Sequence, residues 1–111
     1  MFTFRKFSVL LIAICLPIVA LAATTDELQT TASKGEVAFV LVTEPGIAGT
    51  DQARQTIQGA MAQVPGSVMI ESNRADAVNA DFVQKYGLAS APLPLVLVFG
   101  SNGVIAGGNL A

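Results

Sequence analysis

Val37-Ala38-Phe39-Val40-Leu41-Val42 is a run of six apolar residues, three of them valine. A strand with one wet face alternates apolar and polar positions, whereas an unbroken β-branched run predicts a strand buried on both faces. Such a strand needs a parallel or mixed sheet with helices on both sides, so this segment narrows the chain to α/β architectures. Two further apolar runs supply sheet partners, Val68-Met69-Ile70 within residues 67–72 and Leu95-Val96-Leu97-Val98-Phe99. Between them, residues 51–64 carry Ala53, Ile57, Ala60, Met61 and Val64 at offsets of one helical face, with the glutamines and Arg54 mostly elsewhere. Pro65-Gly66 stops that helix.

The remaining segments fit the same plan. Thr24 and Glu27 stand in capping-box spacing, which predicts a helix over 24–33 capped by Thr24 and closed by Lys34-Gly35. Residues 43–49 read as a loop, with Gly49 or Thr50 capping the next helix and Asp51 in its first turn. Residues 73–77 read as a polar connection. Asn79 is placed to cap a short helix to Tyr86 that turns Val78, Phe82, Val83 and Tyr86 inward. Gly100-Ser101-Asn102-Gly103 carries the Asn-Gly hairpin signal, from which Val104-Ile105-Ala106 returns antiparallel. The order is helix, β, α, β, α, β, β: a three-layer α/β domain on a mixed sheet.

The first residues are of another kind. Arg5 and Lys6 precede a largely apolar stretch that ends in Ala20-Leu21-Ala22, and basic, apolar, then small is the order of an export signal. The expectation is a signal peptide over 1–22 and a domain over 23–111, released to the periplasm or the exterior. The alternative is an uncleaved membrane anchor, from a run at the short limit for spanning a bilayer. A lipidated Cys15 is excluded, because bulky Ile14 stands where a small residue is needed. Cleavage removes Arg5, Lys6 and Cys15, leaving four basic residues against eight acidic ones, a net charge of −4. Such a surface is ill suited to nucleic acid, whose affinity rests on phosphate neutralisation. A membrane partner is expected only if the segment stays uncleaved.

The stretch Asp81-Phe82-Val83-Gln84-Lys85-Tyr86-Gly87-Leu88-Ala89-Ser90-Ala91-Pro92, followed by the apolar strand 95–99 and by Asn102-Gly103, resembles thioredoxins. In that family a Lys-Tyr-Gly ends the short helix, a Ser-X-Pro holds a cis proline, and a strand and an Asn-Gly turn follow. The resemblance spans about residues 36–108 and implies a thioredoxin-like fold. It departs from the family in three places. The slot of the Cys-X-X-Cys motif holds Gly46-Ile47-Ala48-Gly49, and dithiol exchange needs an attacking and a resolving thiol, so a redox-inactive member is expected. Pro92 matches the family proline by its distance from Tyr86, and Pro94 by its distance from Phe99; either is a candidate for the cis bond. The family's last helix has no counterpart before Ala111, so the sequence is expected to be a fragment, the alternative being a partner over the open sheet face.

No histidine occurs in the sequence, which excludes imidazole-based triads and leaves zinc without its usual ligands. No catalytic residue, cofactor or metal site is assigned. Asp26, Glu27 and Asp51 are explained by helix-start electrostatics, and Glu71, Asp76 and Asp81 by solvated surface. Tyr86, Met61 and Met69 read as core. Gly46 to Thr50, a glycine loop opening a helix, is a weak anion cradle, since Glu44 and Asp51 oppose phosphate. The resemblance implies a groove for extended polypeptide between the loop before the long helix and the proline loop, lined here by Pro45, Gly46, Ile47, Ala91 and Pro92. The expected function is therefore protein or peptide binding by a non-catalytic exported domain. The alternative is a fragment or redox-inactive relative of a thiol-disulfide oxidoreductase with no present activity.

Overall fold

The computed structural model describes residues 23–110, with no account of the side chains of Asn109 and Leu110. The expected export signal lies outside the described residues. The elements run α1 (Thr24–Ser33), β1 (Ala38–Thr43), α2 (Thr50–Met61), β2 (Val68–Asn73), a 3-10 turn (Ala77–Asn79), α3 (Ala80–Lys85), β3 (Leu95–Phe99) and β4 (Ile105–Leu110). The sheet order is β2-β1-β3-β4, with β1 parallel to β2 and antiparallel to β3, and β3 antiparallel to β4. The order of elements and the mixed sheet are those expected from the apolar runs.

Strand β1 sits at the centre because both of its faces are apolar. Val40, Leu41 and Val42 have no exposed surface. Ala38, Val40 and Val42 face one core with Ile70, Leu97, Phe99, Phe82 and Leu88, to which Leu28 of α1 and Val83 and Tyr86 also pack. Phe39 and Leu41 face the other core, with Ala53 and Ile57 of α2. Val40 lies opposite Ile70 on one neighbour and Leu97 on the other, so the strand alternation brings three β-strands to the same core. Phe82, Tyr86 and Phe99 form an aromatic trio, their ring centroids 5.2–6.3 Å apart; tilted and edge-on contacts at this spacing add to simple burial. On the opposite face α2 packs on β1 and β2, and Val96 and Val98 of β3 stay half-buried.

Four local expectations change. Thr24 does not cap α1; it is the first helical residue and is fully buried. Its amide donates to Asn79 Oδ1 (2.9 Å) and its hydroxyl to Ser72 Oγ (2.8 Å). Asn79 likewise does not cap α3 through its side chain. It serves α1 instead, while its Nδ2 donates to the Asn73 carbonyl at 3.0 Å. Tertiary contacts thus satisfy helix-end donors that local caps would otherwise take. Val78 points outward, 47% exposed. Asp76 accepts from the Val78 amide and winds residues 77–79 as a 3-10 turn, and three residues per turn shift the phase of the inward face. Finally, Val104 belongs to the hairpin: its carbonyl accepts from the Gly100 amide and its own amide donates to Asn102 Oδ1. The return strand therefore begins at Ile105 and runs to Leu110.

The Thr24–Ser72 pair is buried between α1 and β2, so each hydroxyl depends on the other. Thr24→Val leaves the Ser72 hydroxyl unpartnered and is expected to cost about 1–3 kcal/mol, as is Ser72→Ala from the other side. The double variant leaves no orphan and should lose clearly less than the sum. Urea unfolding of the four proteins measures this coupling.

Candidate functional site

The loops expected to form the groove meet at the C-terminal end of β1. The first runs from Glu44 to Gly49. A turn closed by the Ile47 amide on the Glu44 carbonyl (3.2 Å) shapes it, and Gly49 ends it at φ +88°, a left-handed conformation that other residues adopt at a cost. Gly49 occupies the cap position of α2 without a side chain to cap with, and Thr50 is already helical. The Thr50 hydroxyl donates to the Ile47 carbonyl at 2.9 Å. That uses its only proton, so the 2.8 Å contact between the Thr43 and Thr50 hydroxyls is donated by Thr43. The end of β1 and the start of α2 are thereby fastened across the loop.

The second loop leads from α3 into β3. Its Leu93–Pro94 peptide is cis. Pro94 is buried against the first loop: a Cβ added at Gly49 would lie 3.8 Å from Pro94 Cγ and Cδ. Pro92 is exposed and Ala91 half-buried.

Arg74, the first residue after β2, joins the two loops. Its Nε donates to Glu44 Oε2 at 2.7 Å, and its Nη1 donates to the carbonyls of Leu88 (3.1 Å) and Ala91 (2.8 Å). Both side chains of the ion pair are mostly withdrawn from solvent, 19% exposed for Arg74 and 29% for Glu44. The planar guanidinium suits this work, because one group presents several donors in fixed directions. The sequence reading placed Arg74 in a polar connection, and nothing in its surroundings marks it. Its partners lie 14 to 30 residues away along the chain.

Of the five expected groove residues, Pro45, Gly46 and Ile47 line an open cleft of about 720 Å³ together with Thr43, Thr50, Arg54, Glu71 and the end of β2. Ala91 and Pro92 do not line it; Arg74 ties the Ala91 carbonyl to Glu44 through one guanidinium. The cleft is polar. Arg54 donates to Glu71 through Nε (2.6 Å) and Nη2 (3.0 Å), and to Asp51 through Nη1 (2.7 Å). Glu71, expected as free surface, is thus paired, and the guanidinium hydrogen bonds hold its carboxyl below the usual carboxylate range. With Glu44, Asp51 and Glu71 around it and the Ile47 amide spent in the turn, the glycine loop offers little to an anion. Among the described residues no group of three or more His, Cys, Asp or Glu side chains is placed to hold a metal ion.

Comparison with known proteins places this geometry. No family model matches the chain, and no curated protein matches it by sequence. Solved structures do match in fold. Fasciola hepatica thioredoxin superposes with a TM-score of 0.61 at 12% identity, over 81% of this chain and 83% of that one. Plasmodium falciparum thioredoxin gives 0.59 at 13% identity, over 81% and 82%. Oxidized thioredoxin O2 from Arabidopsis thaliana gives 0.59 at 12% identity, over 77% and 75%. The protein has a thioredoxin-like fold, and at these identities the likeness is one of fold alone.

Two outcomes follow from the site's ion pairs. Arg74→Met strips both loops of their shared donor and should cost about 1–3 kcal/mol in urea unfolding, with faster amide exchange over residues 88–91. For Glu71, a lowered folded-state pKa means stability that is present above its ordinary value and lost as pH falls through the lowered one. Glu71→Gln should therefore destabilise the protein at neutral pH, and its difference from the wild type should vanish in acid.

Proposed function

We propose that this protein is an exported, non-catalytic thioredoxin-like domain that binds protein or peptide between its β1–α2 loop and its proline loop. The observation that carries the reading is Arg74, which fixes the two loops against each other through Glu44 and the carbonyls of Leu88 and Ala91. Preorganised loops lower the ordering cost of taking up an extended chain. Ile47 on the first loop and Ala91 and Pro92 on the second do not share one cleft; they offer a bound segment separate apolar contacts along the rim. The slot 46–49 that would carry the redox pair holds no thiol, and the described residues contain no cysteine, which supports binding without disulfide exchange. Export rests on the basic, apolar and small-residue order of residues 1–22. Among the described residues no helix is long and apolar enough to cross a membrane.

The test has two arms. A disulfide-reduction assay on the protein should show no turnover above background; measurable turnover sinks the non-catalytic reading. NMR titration with extended apolar peptides should shift residues 45–47 and 91–92 together, and Ile47→Asp should weaken that binding roughly tenfold or more, the scale of burying an unpaired charge at an apolar contact. Saturating peptide without shifts at these residues leaves the alternative, a redox-inactive relative with no present activity.

A further inference from the structure

We propose that Asn102 is a modification site, at which the Gly103 backbone nitrogen displaces ammonia from the side-chain amide when the hairpin opens, and that the closed hairpin holds this reaction off. The site lies between β3 and β4, in Gly100-Ser101-Asn102-Gly103. Asn102 is exposed at the tip, and Gly103 has no side chain to shield its own nitrogen. Asparagine followed by glycine is therefore the reactive form of a thermolabile residue. Asn73, Asn79 and Asn109 are each followed by a residue that carries a Cβ, which hinders the same attack. Asn79 is also buried.

The step needs only water. The Gly103 nitrogen gives up its proton and bonds to Asn102 Cγ, closing a cyclic imide. The Cγ–Nδ2 bond breaks, and ammonia leaves with the proton. Water then opens the ring at one of its two carbonyls. One opening gives aspartate on an ordinary backbone. The other gives isoaspartate, whose main chain runs through Cβ and Cγ. Nothing is oxidised or reduced.

In the closed hairpin the attacking nitrogen is occupied. The Gly103 amide donates to the Gly100 carbonyl at 2.9 Å, and the Gly100 amide to the Val104 carbonyl at 3.0 Å. The target is held too, with Asn102 Oδ1 accepting from the Val104 amide at 3.1 Å. Gly103, at φ +80°, supplies the left-handed residue that closes a three-residue hairpin loop. A Cβ there would lie 3.0 Å from Ala32 Cβ, so the tip is seated on the end of α1. Turning the nitrogen toward Cγ requires the 102–103 peptide to rotate, and that rotation breaks the turn. The two products then differ. Aspartate keeps an oxygen for the Val104 amide, in a pocket that Lys85 also lines. Isoaspartate adds a main-chain atom inside the loop, which no longer closes over the same bonds.

Incubation at mildly alkaline pH, with peptide mapping by mass spectrometry, tests the proposal. In guanidinium chloride strong enough to unfold the chain, Asn102 should be the first asparagine converted. In buffer it should again be first, but roughly tenfold or more slower, as for a reaction that waits on local opening. Below the unfolding transition, its rate should rise with guanidinium chloride in step with hydrogen exchange of the Gly103 amide. Equal rates in the folded and unfolded protein would overturn the hairpin's role, and earlier conversion of Asn73, Asn79 or Asn109 would overturn the site. The purified isoaspartate form should exchange its Gly103 and Val104 amides faster than the wild type, whereas Asn102→Asp should not. Unchanged exchange in the isoaspartate form would overturn the difference between the products. Peptide binding at residues 45–47 is read separately and survives any of these results.

Discussion

The structure depends on β1 being desolvated on both faces. Val40 and Val42 on one side and Phe39 and Leu41 on the other commit the strand to the middle of the sheet and oblige helices to lie above and below it. The candidate site is a consequence of where that strand ends. Because β1 is central and parallel to β2, its C-terminal end opens onto the loop that starts α2, at the same rim as the end of β2 and the start of β3. In open α/β sheets ligands collect at such strand ends, where loops rather than packed layers meet.

Polar side-chain contacts, some local and some between distant segments, then fix this rim. Arg74 fastens Glu44 to the proline loop, the Thr43 and Thr50 hydroxyls pair across the first loop, and Arg54 draws Asp51 and Glu71 into one cluster. None of these is worth much as an exposed surface pair. Arg74 differs because it is largely withdrawn from water and satisfies backbone carbonyls as well as a carboxylate. The scaffold is thioredoxin-like, its two loops are held together by Arg74, and the slot 46–49 holds no thiol. That combination is what the proposal of a binding domain rests on.

The sequence made the architecture legible and left the site largely hidden, for physical reasons. Strands β1 and β3 and the inward face of α2 are written in hydrophobic periodicity, a local signal. The hairpin at Asn102-Gly103 is likewise local chemistry. Failures came where a side chain serves a distant partner: Thr24 and Asn79 look like caps of their own helices, yet they bond each other across 55 residues. Val78 was misplaced because a 3-10 turn has a different period from the helix assumed for it. Pro45, Gly46 and Ile47 lie in the loop between β1 and α2, as residues 43–49 were read. Arg74 and the packing of Pro94 on Gly49 did not show, since each is defined only by the folded arrangement.

The Thr24–Ser72–Asn79 network has a consequence for shortening this domain at its start. Thr24 is at once the first turn of α1 and a buried part of the interior, and Ala23 is the sole described residue before it. Deletion of residues through Thr24 would remove the hydroxyl beneath β2 and the amide held by Asn79. A chain that begins at Ala23 keeps both contacts, whereas one that begins at Thr25 has lost part of its interior.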